Sequence, residues 1–197
     1  MQKIELEIVA LSHSITQSNS YAVILGEVNG LRRLPIVIGG FEAQAIAVAL
    51  ENMHPSRPLT HDLMKNFMTA FDIQLQEVYI CDLQEGIFYS KLVCFTANDT
   101  IEIDSRTSDA LALAVRFGCP IYVYDNILEQ AGLANENAEK TISPTTNIPA
   151  SPIESDLSKL SLPELNKLLQ EVLEQEDYIR AIDIRDEINK KNAQKKS

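Results

Sequence analysis

The sequence predicts an α+β fold: a mixed sheet built from a duplicated β-α unit, followed by a C-terminal antiparallel helical hairpin. Three observations carry this expectation. Pro35 to Leu50 reads Pro-Ile-Val-Ile-Gly-Gly-Phe-Glu-Ala-Gln-Ala-Ile-Ala-Val-Ala-Leu, and Thr100 to Val115, 65 positions on, repeats the pattern as Thr-Ile-Glu-Ile-Asp-Ser-Arg-Thr-Ser-Asp-Ala-Leu-Ala-Leu-Ala-Val. Each copy is a short β-run, a corner of small and polar residues, and an Ala-rich run that is apolar on every side, which marks a buried helix. Around these units, stretches of apolar/polar alternation are separated by Gly, Asn and Asp, as in strands joined by hairpins. At about Gly132 the composition shifts to Asn, Thr, Ser and Pro, and a regular helical pattern returns only beyond residue 155.

Taken in order, Lys3 to Leu11 sets Ile4, Leu6 and Ile8 against Glu5 and Glu7, a half-buried strand. Ser12 to Ser20 is polar and reads as a loop. Tyr21 to Glu27 and Leu31 to Ile38 are strands, with Asn29-Gly30 between them as a type I′ turn. Gly39-Gly40 breaks the strand, and Phe41 to Asn52 is the first buried helix. After the break at Pro55 to Pro58, Thr60 is expected to cap a second helix, with Asp62 in its first turn and Met64, Phe67, Met68 and Phe71 on its apolar face. Ile73 to Cys81 and Ile87 to Phe95 form a hairpin about Glu85-Gly86. Asn98-Asp99 turns the chain into a strand at Ile101 to Asp104. The second Ala-rich helix runs from Thr107 to Phe117, with Gly118 just past its end. Pro120 to Tyr124 is a last buried strand, and Asn126 to Ala131 a short helix.

The chain thus divides into a body, residues 1–132, a flexible linker, residues 133–155, that holds Pro144, Pro149 and Pro152, and a tail, residues 156–197. In the tail, Ser161-Leu162-Pro163-Glu164 combines a capping box with a proline in the first turn. Leu165, Leu168, Leu169, Val172 and Leu173 make one apolar stripe. Gln175-Glu176-Asp177 is the expected turn, and Tyr178, Ala181, Ile182, Arg185 and Ile188 follow on a second helix. Two short helices bury little area alone. They are therefore expected to pair with another copy, giving a homo-oligomer and most simply a dimer, or with a partner's helix.

Bulk properties narrow the function classes. No apolar run reaches 18 residues, so no spanning helix or membrane partner is expected. The start, Met1 to Glu7, places acids where a signal peptide needs an apolar stretch, which points to a cytoplasmic protein. Cys81, Cys94 and Cys119 are widely spaced, form no CxxC and read as buried reduced thiols. Residues 1–132 carry 8 basic and 16 acidic side chains, so the body has no general field that attracts phosphate backbones. A nuclease that holds a divalent cation remains compatible with that charge, because carboxylates are the ligands such ions take. HExxH, GxSxG and Walker A motifs are absent from the sequence.

Three ordered blocks give the body a family resemblance. They are Leu34-Pro35-Ile36-Val37-Ile38-Gly39 with Glu42-Ala43-Gln44-Ala45-Ile46, then Arg57-Pro58-Leu59-Thr60-His61-Asp62-Leu63, then Ile103-Asp104-Ser105-Arg106-Thr107-Ser108-Asp109-Ala110. Over roughly residues 3–130 the chain resembles the bifunctional nuclease domain family, small α+β domains named for activity on both RNA and DNA. The resemblance implies a nuclease with nucleic acid as partner. It departs at Thr107, where the family usually has proline. The tail, chiefly Glu176-Asp177-Tyr178, Ala181 and Ile184-Arg185-Asp186-Glu187-Ile188, is similar to the UVR motif, the helical hairpin of the repair protein UvrB that pairs with UvrC. That similarity implies a pairing partner more firmly than it implies DNA repair.

The polar residues at the corners supply compatible chemistry. Asp104 and Asp109 are candidate ligands for Mg²⁺ or Mn²⁺, and Arg106 for a phosphate at the positive end of the helix. Alternatively, Ser108 or Asp109 caps that helix while Arg106 closes the corner on a carboxylate. Glu42 is either a first-turn acid that complements its helix dipole, or a base or metal ligand. His61, oriented by Asp62 or a facing carboxylate, is the candidate general base; the alternative is a surface histidine in a capped first turn. Arg57 is a phosphate clamp or a solvated loop charge. The leading expectation is a metal-assisted phosphodiesterase, and the alternative is a binding module without catalysis.

Overall fold

A computed structural model describes residues 2–13, 20–53, 55–97, 99–133, 157, 160–174, 180, 181, 184, 185, 187, 188 and 191. The chain divides into two compact units, Met1–Ile142 and Ser143–Ser197, and the division falls inside the expected linker. No helix among the described residues is long and apolar enough to cross a membrane.

The first unit is a mixed α+β body. Its strands are β1 (Lys3–His13), β2 (Ser20–Glu27), β3 (Arg33–Gly39), β4 (Gln74–Gln84), β5 (Ile87–Phe95), β6 (Thr100–Arg106) and β7 (Ile121–Tyr124). Its helices are α1 (Gly40–Leu50), α2 (Thr60–Ala70), α3 (Thr107–Phe117) and α4 (Asp125–Ala131). The strands form one sheet in the order β3-β2-β1-β7-β4-β5-β6, parallel only between β4 and β7. One register row, Leu6, Ile121, Val78, Leu92 and Ile103, runs from β1 to β6 on the face that carries the core. The first four are buried, whereas Ile103, on the edge strand, is 43% exposed. The neighbouring row, Glu5, Tyr122, Tyr79, Lys91 and Asp104, points to the opposite face, because side chains alternate along a strand.

Each of the two similar stretches forms a strand that runs without a loop into an eleven-residue helix, β3 into α1 and β6 into α3. Their strands are the two opposite edges of the sheet. In a flat sheet those edges would lie roughly 29 Å apart at normal strand spacing. The sheet instead brings α1 onto α3, whose small buried residues, Ala43 and Ala47 in one and Ala110, Ala112 and Ala114 in the other, let the backbones approach. Irregular register at Ile8/Ala10, Leu75/Glu77 and Ile80/Asp82 supplies local twist for that curl.

Several elements differ from expectation. Neither Asn29 nor Gly30 has the positive φ that a type I′ turn requires. The β2–β3 loop is wider and is closed by Glu27, whose carboxylate accepts the Arg32 N–H at 2.9 Å and pairs with the Arg32 guanidinium at 2.6 Å. That guanidinium holds the Glu27 carboxyl below its ordinary value. Gly30 is fixed by this arrangement, since a Cβ there would lie 2.2 Å from Glu27 Oε2. In α2 only Met68 of the apolar positions is buried; Phe67 and Phe71 are exposed and stack on each other at 4.7 Å. Polar links to α3 seat this helix, so the periodic stripe does not mark its buried face. The cap residue of α2 is Leu59, not Thr60, and the Leu59 N–H donates to Asp62 at 2.9 Å. The three thiols are free, and burial raises the Cys119 thiol to about 11.

In the second unit, α5 (Leu162–Glu174) starts at the expected Ser161-Leu162-Pro163-Glu164, where the Ser161 N–H donates to Glu164 as in a capping box. The Ser161 hydroxyl also donates to that carboxylate, whereas in a capping box it accepts from the Glu164 N–H. Arg180, Ala181, Ile184, Arg185, Glu187, Ile188 and Lys191 are also helical. Leu165, Val172, Ala181, Ile184 and Ile188 are buried within the single chain, while Leu173 is 37% exposed. Leu168 and Leu169 of the same stripe are half-buried. The expected turn at Gln175–Asp177 and position Ile182 lie outside the described residues.

Candidate active site

The two polar corners meet. Arg106, the last residue of β6, stands at the N-cap of α3, and its guanidinium reaches in two directions. Nε and Nη2 donate to the two oxygens of Asp109, one turn on, at 2.7 and 3.1 Å. Nη1 donates to Glu42 Oε1 of the α1 corner at 3.0 Å. Glu42 falls in the first turn of α1 because Gly39 ends the strand there, and a Cβ on Gly39 would lie 2.4 Å from Glu42 Oε2. A side chain at position 39 would thus displace the Glu42 carboxylate from this placement.

His61, in the first turn of α2, completes the group from a third element. Its Nε2 lies 3.1 Å from Asp109 Oδ1. Burial alone would raise the Asp109 carboxyl, but the hydrogen bonds from Arg106 and His61 outweigh burial and hold it below the ordinary carboxylate value. An ionised carboxylate only accepts, so Nε2 carries the proton of this bond, and in the neutral ring the lone pair is then on Nδ1. The Asp109 bonds in turn raise the Arg106 guanidinium further above its ordinary value. Of the five N–H donors on a guanidinium, three are used, which leaves one on each terminal nitrogen.

Glu42, His61, Asp104, Arg106 and Asp109 all border one open cleft of about 820 Å³. Phe41, Leu59, Met64 and Ile103 supply much of its apolar wall. Asp104 belongs to that border as part of the β6 edge, yet its cross-strand partner is Lys91, on the far face from Leu92 and Ile103. Its charge acts on the Cys81 thiol, which burial chiefly raises.

Three expected roles change with this geometry. Asp62 is not the partner of His61. Its carboxylate is bonded by Arg116 Nε at 2.6 Å and by the Leu59 N–H, and these bonds outweigh burial to hold it below its ordinary value. Arg57 is exposed in the segment before α2 and does not border the cleft. Asp104 falls in the register row of Lys91, on the face of β6 opposite Ile103, whereas Asp109 stands in the first turn of α3 with both oxygens on the Arg106 guanidinium. Mg²⁺ and Mn²⁺ require several oxygens around one point. Among the described residues no group of three or more His, Cys, Asp and Glu side chains could hold a metal ion. Both oxygens of Asp109 and one of Glu42 already face the Arg106 guanidinium. The donor set as arranged therefore does not fit a divalent ion, and the positive charge of the site is that of Arg106.

Two side chains that matter here have no contact assigned to them from the sequence. Arg116 is 4% exposed and links three helices through Asp62, Ala45 O at 2.8 Å and Ala112 O at 2.9 Å. A lone cation in an otherwise apolar helix was the available signal. Thr107 is the other. Its buried hydroxyl donates to Phe88 O at 3.0 Å and accepts from Ser90 Oγ at 2.7 Å, tying the start of α3 to β5. Thr107→Val keeps the shape and strands the buried Ser90 hydroxyl. It is expected to cost about 1–3 kcal/mol in denaturant unfolding, with part of the loss recovered in Thr107→Val/Ser90→Ala.

The sequence profile described as Bifunctional nuclease domain matches residues 23–136. An uncharacterized protein of Mycobacterium tuberculosis is 49% identical over 115 residues, covering 58% of this chain and 68% of that protein. Bifunctional nuclease 1 of Oryza sativa subsp. japonica is 27% identical over 115 residues, covering 57% of this chain and 33% of that protein. The Bifunctional nuclease of Oryza minuta matches to the same extent. The aligned part is thus one third of the rice proteins' length.

Proposed function

The chain belongs to the bifunctional nuclease domain family, and from that premise we propose that the cleft bordered by Glu42, His61, Arg106 and Asp109 hydrolyses phosphodiester bonds of DNA or RNA. The observation that carries the reading is the bond from His61 Nε2 to Asp109 at the border of the cleft, which in the neutral ring assigns the lone pair to Nδ1, the proposed base. In the proposed reaction Nδ1 takes a proton from water, and the hydroxide attacks phosphorus. The bond to the leaving oxygen breaks, and that oxygen is protonated by water. The two unused N–H donors of Arg106 bind the non-bridging oxygens, and Glu42 and Asp109 hold the guanidinium in place. No step passes through a divalent cation.

The test is turnover of labelled single-stranded RNA and DNA by the full chain, in EDTA and in Mg²⁺ or Mn²⁺. Cleavage in EDTA that is lost in His61→Ala supports the reading, and equal rates in wild type and variant overturn it. A second reading, a module without catalysis, is favoured by the mutual pairing of Arg106 with Glu42 and Asp109, which also serves as a clamp between corners. Under that reading the same substitutions change stability and no turnover is seen.

For the tail we propose association with another copy or a partner helix, as its likeness to the UVR motif implies. A chain truncated after Leu133 is expected to keep a folded body and to lose association in sedimentation. An unchanged oligomer would place the interface on the body.

A further inference from the structure

We propose that Phe41 is a stacking platform for one unpaired nucleobase of the strand bound in the cleft, which makes single-stranded nucleic acid the preferred ligand; this rests on the nuclease reading above. Phe41 is 88% exposed, more than any other large apolar side chain described, and it borders the cleft. An exposed aromatic face at the border of a cleft is a surface on which a base can stack. The next residue, Glu42, is bonded to Arg106. Phe41 and the Arg106 guanidinium thus border the same cleft, and the proposal sets a base on the ring while its strand's phosphate meets Arg106. Across the cleft Leu59, Met64 and Ile103 offer apolar surface suited to the flat face of a base.

Charge selects this occupant over a duplex. Two carboxylates, Glu42 and Asp109, face Arg106, and the body carries 16 acidic against 8 basic side chains. Affinity for nucleic acid usually comes from several phosphate contacts. Here those contacts are few, so binding must draw on the base. Stacking on an aromatic ring supplies that without reading sequence, but a base inside a duplex is already stacked and its face is not available.

The experiment measures fluorescence anisotropy of a short labelled single-stranded DNA with the full chain, beside the same strand with abasic spacers in place of every base. Phe41→Ala is expected to bind the base-bearing strand about 5- to 150-fold more weakly, with Phe41→Trp equal to wild type or tighter. The abasic strand is expected to bind weakly and alike in all three. Melting temperature and sedimentation should not change, since the side chain is exposed. Equal binding of the base-bearing strand by wild type and Phe41→Ala overturns the proposal. So does tight abasic binding, the absence of any wild-type binding, or a changed oligomeric state in Phe41→Ala, which would assign the ring to a second copy. Wild-type binding that requires Phe41 but gives no cleavage leaves the platform standing and removes the hydrolytic reading. Cleavage indifferent to Phe41→Ala does the reverse.

Discussion

Replacing Arg116 with alanine is expected to lower the unfolding free energy by about 3 kcal/mol, at the low end of the cost of breaking a buried ion pair. The side chain is 4% exposed and ends on one carboxylate and two helix carbonyls, so its removal opens a cavity between α1, α2 and α3 and unpairs Asp62. Asp62 is 31% exposed, and its partial rehydration keeps the loss from being larger. Arg116→Met, which keeps most of the volume, should lose less, and Asp62→Leu/Arg116→Met less than the sum of the two single changes. The effect carries a pH signature. Asp62 and Asp109 are held below their unfolded value, near 3.9, so their stabilisation is complete above that value and is lost as pH falls through the folded one. The acid side of the stability curve should therefore be shallower in Arg116→Met than in wild type. Urea unfolding between about pH 2 and pH 7 measures both quantities, and a loss under about 1 kcal/mol would show that α2 is held by something else.

His61→Ala is expected to reduce kcat/KM for oligonucleotide cleavage by about 10²- to 10⁴-fold, the usual contribution of a positioned general base. The loss should fall mainly on kcat, because the imidazole acts on the nucleophile rather than on substrate affinity. Asp109→Asn should approach the same loss, since an amide can present its NH₂ to Nε2 and turn the tautomer over. It also removes a charge from Arg106, so both turnover and KM should move. Arg106→Lys keeps the charge but not the fork that reaches Glu42 and Asp109 together, and is expected to behave nearer to alanine than to wild type.

Much of the body was legible because its elements follow simple periods. The Ala-rich helices, the Gly118 stop, with φ of 66°, and the Glu85-Gly86 hairpin all rest on local chemistry that sequence records directly. Position α2 was legible and its facing was not. Its Met64, Phe67, Met68 and Phe71 imply an apolar buried face, of which only Met68 is buried, whereas the bonds of Asp62, His61 and Lys65 to α3 decide the seating, and those partners lie 48 to 54 residues away. The candidate site shows the same division. Glu42, His61, Arg106 and Asp109 stand out as polar residues at corners, and they converge. Asp104 stands out for the same reason and does not, because one residue along a strand reverses the face, and only the pairing of Lys91 with Asp104 reveals which face it takes. The choice of Asp109 over Asp62 as the partner of His61 likewise depends on how α2 lies on α3.

The most direct measurement is cleavage of a labelled single-stranded oligonucleotide by the purified full chain in excess EDTA, comparing wild type with His61→Ala and Asp109→Asn. Cleavage by wild type, with losses of at least about 100-fold in both variants, is the result expected of a base oriented by a carboxylate beside a guanidinium. Wild-type activity that vanishes in EDTA and returns with Mg²⁺ or Mn²⁺, or that survives both substitutions, would contradict it.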